Sequence, residues 1–222
     1  MSPSSGTDSP FFSQQYSVRH APDYSLESKL AEKGARLIAG IDEAGRGPLA
    51  GPVVAAAVIL DPYNIPQGLN DSKRLSATAR QELFEEILQS SSCAWCAVNA
   101  REVDRLNILQ ATLLAMTRTA RFLPVAPDAI LIDGRDVPIG LHELGTAVIG
   151  GDGISQSIAA ASIVAKVVRD RMMTRADAEY PGYGFEKNKG YGTKAHRDAI
   201  HDIGPCEIHR RSFAPISKLD ML

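Results

Sequence analysis

The chain has only three cysteines among its 222 residues, and Cys93, Cys96 and Cys206 leave one thiol unpaired in any disulfide scheme. Cys93-Ala94-Trp95-Cys96 has the spacing of half a zinc site, but no second pair completes it. Ala94-Trp95 and Ala97-Val98 read as strand, which sends the two thiols to opposite faces, so reduced thiols in a cytoplasmic protein are expected. Long apolar runs are missing too. The longest, Val53 to Leu60, is the length of a buried strand and far short of the ~20 residues that cross a bilayer, so no membrane partner is expected. The first ~24 residues, rich in Ser, Pro, Gln and Asp, have no basic start leading into an apolar stretch; they read as a disordered tail, not a secretory signal. No internal repeat is visible. Walker A is absent, Gly45-x-Gly47-x-x-x-Gly51 misses the G-x-G-x-x-G spacing, and a strand follows it, all of which argues against a nucleotide-binding module. Positive charge is scarce as well: 24 Lys and Arg face 26 Asp and Glu, a net charge of −2 that argues weakly against a nucleic-acid binder. Its distribution softens the objection, because residues 166–211 hold ten basic against seven acidic side chains.

What is present suits one folded domain. A composition of 44% hydrophobic and 23% charged residues over this length supports one sizeable core with room for a small helical appendage. Leu26 to Lys33 reads as a lead-in helix with Ser25 as its cap, and Leu37 to Ile41 as a strand ending at the pair Asp42-Glu43. Val53–Leu60 suits a central strand buried on both faces, and Cys93 to Val98 completes a meander. Helices are expected from about Ser76 and over about Val103 to Phe122. Ala129–Ile132 then reads as a strand leading to Asp133-Gly134, and Ala147–Ile149 as a short one leading to Gly150-Gly151-Asp152. A long helix follows, with Ile158, Ala161, Ser162, Ala165 and Met172 inward. A meander followed by parallel strands with crossover helices predicts an α/β layer fold with a mixed central sheet, and residues from about 181 form a small C-terminal helical cap.

In this reading three strands deliver carboxylates at their C-terminal ends, where α/β sheets bind ligands. Asp42, Glu43, Asp133 and Asp152 would repel one another if clustered, unless a cation neutralised them. Oxygen donors suit Mg²⁺ or Mn²⁺, and two such ions about 3.5–4 Å apart can clamp the attacking and leaving oxygens of a phosphodiester. Neighbouring Asp42 and Glu43 cannot share one face of a regular strand, so a strand end or bulge is expected there, with Gly45 and Gly47 supplying the freedom. Solvated turns are the plainer alternative for each acidic site taken alone, and Asp136 stands near Asp133 as a competing carboxylate. Asp170, among arginines, reads as an ion-pair partner. An oxygen-rich Mg²⁺ site needs no imidazole from His196, His201 or His209; His196 reads as structural or hydrogen-bonding, and Arg210 and Arg211 as contacts to phosphate or solvent.

Gly40-Ile41-Asp42-Glu43-Ala44-Gly45-Arg46-Gly47-Pro48-Leu49-Ala50-Gly51-Pro52-Val53 resembles the opening signature of ribonuclease HII. Asn70-Asp71-Ser72-Lys73-Arg74-Leu75-Ser76, Leu131-Ile132-Asp133-Gly134, Ile158 to Val167 and Lys189-Gly190-Tyr191-Gly192-Thr193 resemble that family's later motifs, in order, so that the likeness spans about Leu37 to Phe213. The resemblance implies a ribonuclease H-like fold and a monomer that cuts the RNA strand of RNA–DNA hybrids. It also implies incision 5′ of single ribonucleotides in duplex DNA by two Mg²⁺ or Mn²⁺ ions, leaving 5′-phosphate and 3′-hydroxyl ends. Carried over by position, Asp42, Glu43, Asp133 and Asp152 are the catalytic metal ligands, with Asp152 the least secure. Gly45-Arg46-Gly47 would sense the ribose 2′-hydroxyl, Tyr191 would pack on the neighbouring sugar, and Lys73 would meet the backbone near the scissile phosphate. Plainer readings make Arg46 an ion-pair partner of a carboxylate, Tyr191 a turn tyrosine and Lys73 a solvated lysine. Ribonuclease HIII is the near alternative, although it usually carries a sizeable N-terminal domain where about 36 mostly polar residues stand here; a non-catalytic binder would not need all four carboxylates.

Overall fold

The computed structural model describes residues 21–219, so most of the expected tail lies outside the described residues. From its end, Asp23 forms a parallel bridge with Ser155: its N–H donates to the Ile154 carbonyl and its own carbonyl accepts from Gln156.

Five strands, β1 (Ile38–Ala44), β2 (Val53–Leu60), β3 (Ser91–Val98), β4 (Ala129–Asp133) and β5 (Gly145–Val148), form one sheet in the order β3-β2-β1-β4-β5. The first three make the antiparallel meander, and β4 and β5 run parallel to β1. β2 is apolar at every position because helices cover both faces. Its odd-numbered residues, Val53 to Ile59, pack with Val103 of α3 (Ala100–Leu106) and Ala111, Ala115 and Met116 of α4 (Ile108–Phe122). Even-numbered Val54 to Leu60 face α2 (Ala77–Ser90) and the long α5 (Gln156–Glu179). α1 (Ser25–Ala31) leads into the sheet, and α6 (Phe185–Asn188), α7 (Lys194–Ile203) and α8 (Ile216–Leu219) form the cap around Phe185, Tyr183, Ile200 and Ile216.

Several boundaries differ from expectation. α1 has Tyr24 at its cap position without a side-chain bond, and Asp23 instead accepts the Ser25 N–H at 2.9 Å. The helix expected through Val103–Phe122 is two helices, because Asn107 adopts φ +67° and its side chain caps the second by accepting from Gln110. β5 starts at Gly145 and stops at Val148. On α5 the inward stripe is buried as expected apart from half-buried Met172; Met173 takes the fully buried place.

One glycine decides how closely α5 approaches β1. A β-carbon on Gly40 would stand 2.1 Å from the Ser157 carbonyl carbon, so only hydrogen fits where the start of α5 crosses the strand. Gly40→Ala is therefore expected to destabilise the protein by about 1–3 kcal/mol, as overpacking does, with the loss read from thermal or urea unfolding.

Candidate active site

β1 does not end at the acidic pair. Its regular pairing continues through Asp42 opposite Ala56, Glu43 opposite Ala55 and Ala44 opposite Val54, so neither the expected strand end nor a bulge falls there. β4 runs beside β1 with Ile41 opposite Ile132, which places Asp133 next to Asp42 at the C-terminal edge of the sheet. Asp42, Glu43 and Asp133 each bring a carboxylate oxygen within 4.8 Å of the others. Asp42 Oδ1 accepts the Glu43 N–H at 2.7 Å, and Asp133 Oδ1 accepts the Gly151 N–H at 2.7 Å, which ties the turn after β5 to the end of β4. Asp152 lies on that turn, a 3-10 element over Gly151–Gly153, outside the close group of three. Lys73 Nζ lies 3.7 Å from its Oδ2, and its side chain also meets that of Asp71. Asp136 is exposed and stands apart from the cluster.

The group is under electrostatic load. Burial first, then the charges of Glu43 and Asp133, push the Asp42 carboxyl well above the usual carboxylate range. Glu43 is raised as well: burial and Asp133 outweigh the relief from Arg46, whose guanidinium lies 3.2 Å from Glu43 Oε1. Asp152 is raised by burial, Asp133 and Asp71 against Lys73. The donors near these acids are all oxygens, with no imidazole or thiolate in the group, a set that fits a hard divalent cation.

Beside the carboxylates opens a groove of about 470 Å³ whose wall runs from Asp42 and Glu43 through Gly45-Arg46-Gly47. Lys73, Arg80, Lys166, Arg169 and Tyr191, which is 45% exposed, line the rest. Five cations thus border a site whose chain is net acidic, which answers the objection from global charge. Lys73 is held above its ordinary value although burial opposes this, because Asp71, Asp152, Asp42 and Asp133 together prevail. Asp170 makes the expected ion pairs, 2.7 Å to Lys166 and 3.9 Å to Arg80. Arg80 in turn fixes the loop before α2 by donating to the Ser72 and Leu75 carbonyls.

Residues 39–216 match the sequence profile described as Ribonuclease HII. The chain belongs to the ribonuclease HII family. It is 53% identical over 212 residues to the ribonuclease HII of Rhizobium meliloti, covering 96% of this chain and 97% of that protein. Against the ribonuclease HII of Parvibaculum lavamentivorans the identity is 54% over 200 residues, 89% of this chain and 73% of that one. The fold superposes on the ribonuclease H2 of Pyrococcus horikoshii OT3 with a TM-score of 0.71 at 26% identity, over 84% of this chain and 98% of that chain. The ribonuclease HII of Archaeoglobus fulgidus, solved in a complex with PCNA, gives 0.69 at 27% identity over 80% and 95%. The protein is therefore a ribonuclease H hydrolase with the mixed-sheet fold that its strand pattern predicts, and no helix among the described residues is long and apolar enough to cross a membrane.

Within this ribonuclease HII, the places of Asp71, Arg210 and Arg169 are not foretold by the sequence. Asp71 is a fifth acidic group at the rim, bonded to Asp152 and capping the Lys73 N–H. Its place in a polar loop gave no signal of this contact, which needs the fold to bring residue 71 to residue 152. Arg210, expected to meet phosphate or solvent, is instead fully buried, while Arg211 is exposed. Arg210 Nε donates to the Gly51 carbonyl, Nη1 to those of Arg46 and Pro48, and Nη2 to that of Gly45. Arg169, also buried, donates to the carbonyls of Pro52, Lys189 and Ala50. His196 is buried and hydrogen-bonded, as expected, and His209 is buried against it, whereas His201 is exposed beside Asp202.

Proposed function

We propose that this ribonuclease HII hydrolyses the RNA strand of RNA–DNA hybrids and incises duplex DNA on the 5′ side of single ribonucleotides, leaving 5′-phosphate and 3′-hydroxyl ends. The observation behind this reading is the placement of Gly45-Arg46-Gly47 in the same groove wall that begins at Asp42 and Glu43, so a sugar against the glycines sets its phosphate over the acids. Asp42, Glu43 and Asp133 would hold divalent Mg²⁺ or Mn²⁺, with Asp152, on the neighbouring turn, as the fourth ligand. Two such ions supply an activated water and charge stabilisation of the leaving oxygen.

The chain's own groups do the rest. Gly45 has φ +96°, and a β-carbon there would meet Arg169 Nε at 2.1 Å, so only glycine lets this turn pack on Arg169; the open side is at Gly47, where a β-carbon would meet nothing within 4 Å, and there the backbone can be approached by a ribose 2′-hydroxyl. Arg46 screens Glu43, while Lys73, Arg80 and Lys166 receive the phosphate backbone.

Tyr191 packs on the sugar beside the junction. Aromatic stacking against a nucleotide contributes about 1–3 kcal/mol, so Tyr191→Ala is expected to lower kcat/KM by about ten- to a hundredfold while Tyr191→Phe keeps most of it. The function itself is tested by incubating the purified protein and Mg²⁺ or Mn²⁺ with three substrates: an RNA–DNA hybrid, a duplex with one ribonucleotide and an all-deoxy duplex. The first two are expected to be cut and the third left intact; an uncut ribonucleotide duplex under both metals contradicts the proposal.

A further inference from the structure

We infer that the consecutive residues His209 and Arg210 are positioning residues for ribose recognition: one fastens Tyr191, the other fastens the Gly45–Gly51 turn, and their backbone sets the distance between the two. The inference rests on the reading that Gly45-Arg46-Gly47 and Tyr191 meet the ribonucleotide junction.

The Arg210 half is a buried guanidinium whose hydrogen bonds run to carbonyls. Burying such a charge is costly unless its donors are satisfied, and here four bonds of 2.6–3.0 Å reach the Gly45, Arg46, Pro48 and Gly51 carbonyls. One rigid fork therefore gathers carbonyls from across a seven-residue turn, which a flexible ammonium with three donors does not reproduce. Burial pushes Arg210 down to about 9, with Arg169 acting in the same direction, so it still holds its proton at neutral pH.

The His209 half is a chain of hydrogen bonds whose proton positions follow from its ends. His196 Nδ1 lies 2.9 Å from the Tyr191 carbonyl, which only accepts, so this nitrogen donates. In the neutral ring His196 Nε2 is then the acceptor, and His209 Nε2, 3.0 Å away, must donate to it. That leaves His209 Nδ1 to accept, as it does from the Cys206 N–H at 2.9 Å. Both imidazoles are neutral, and burial lowers both, His209 to about 4. The groups facing the pair are uncharged at that contact: Tyr183 and Phe185 pack against the rings, and the Cys206 thiol, raised by burial, lies 3.1 Å from His209 Nδ1; Arg211 adds a further downward push on His209.

Between the two anchors the backbone is pinned on each side. Ala50 and His209 form an antiparallel bridge in which Gly51 N–H donates to Ile208 and Arg210 N–H to Leu49, both at 2.8 Å, and Leu49 N–H donates to Gly190. Asp104 of α3 accepts the N–H groups of Arg211 and Ser212. The glycine turn and Tyr191 are thus joined through one short segment, and none of the hydrogen bonds that join them runs to a carboxylate of the site.

The test measures how strongly the protein prefers a duplex with one ribonucleotide over its all-deoxy counterpart, as a ratio of dissociation constants in Ca²⁺, which occupies carboxylate sites without supporting rapid turnover. A misplacement of about 1 Å at such a contact costs on the order of a hundredfold, so Arg210→Lys is expected to bring the ratio close to one while all-deoxy binding is unchanged. His209→Leu, which removes the donor to His196, is expected to do the same, and His209→Gln, whose amide can donate, to restore much of the preference. A general loss of packing lowers both affinities together and leaves the ratio alone. Folded variants that keep the parent's ratio overturn the inference, and His209→Leu with its Gln rescue decides the matter if Arg210→Lys does not fold. A parent protein with no preference at all instead refutes the ribose-reading role of the turn itself.

Discussion

Asp133→Asn is expected to cut turnover by about a thousandfold or more if Asp133 is the metal ligand proposed above, because such a loss removes several kcal/mol of charge stabilisation at about 1.4 kcal/mol per tenfold. The fold should survive. Asparagine keeps the oxygen that accepts the Gly151 N–H, so the tie between β4 and the turn bearing Asp152 is preserved while one negative charge leaves the group. Single-turnover cleavage beside circular dichroism checks both halves of this expectation; a folded variant that still turns over at the parent's rate removes Asp133 from the site.

Asp42→Asn should have two opposite effects: comparable loss of cleavage, and a more stable protein in the absence of metal. Asp42 sits 5% exposed among Glu43 and Asp133, and its carboxyl is raised above the unfolded value by burial and by those charges. A raised acid in the folded state means that the native protein binds the proton more tightly than the unfolded chain. Its favourable contribution is then complete in acid, below the unfolded value, and is lost as pH climbs through the folded value. Metal-free protein should therefore lose stability between acid and neutral pH, in part through Asp42, with Glu43 and Asp152 acting in the same direction. Asparagine removes the Asp42 share. Each kcal/mol relieved raises Tm by about 2–4 °C in a chain of this size, so the variant should melt a few degrees above the parent at pH 7–8, with the gap closing in acid. Mg²⁺ should raise the parent's Tm and do little for the variant. Equal melting of the two proteins across this pH range without metal contradicts the electrostatic load assigned to the site.

Much of this site is legible in the sequence because its chemistry sits at strand ends. The apolar runs before Asp42 and Asp133 fix two parallel neighbours, and adjacent parallel strands that end at one edge must bring their terminal carboxylates together. Alternation along β1 argued for a break after Ile41, and there the local rule misled: pairing with β2 holds the strand straight through Ala44. Asn107 was hidden for a different reason. A polar residue inside an apolar helical pattern looks like a solvent-facing position until its left-handed φ shows that it ends one helix and caps the next.

Arg210 is the clearest case of what sequence cannot disclose. In His209-Arg210-Arg211 two arginines stand side by side with the same chemistry, yet one is wholly buried against four carbonyls and the other faces outward. Only the bridge between His209 and Ala50, contacts across more than 150 residues of chain, decides which is which. Asp71 is the same kind of case, since its partner Asp152 comes from the turn after β5, far along the chain from the loop before α2 that holds Asp71.

The claim that metal held by strand-end carboxylates drives hydrolysis, with the ribose only recognised, is tested most directly by mapping where and how a duplex with one ribonucleotide is cut. The expected result is incision on the 5′ side of the ribonucleotide, dependent on Mg²⁺ or Mn²⁺, with a 3′-hydroxyl on one fragment and a 5′-phosphate on the other. Cleavage on the 3′ side with a 2′,3′-cyclic phosphate, persisting in chelator, means that the 2′-hydroxyl is itself the nucleophile and contradicts the metal-site assignment.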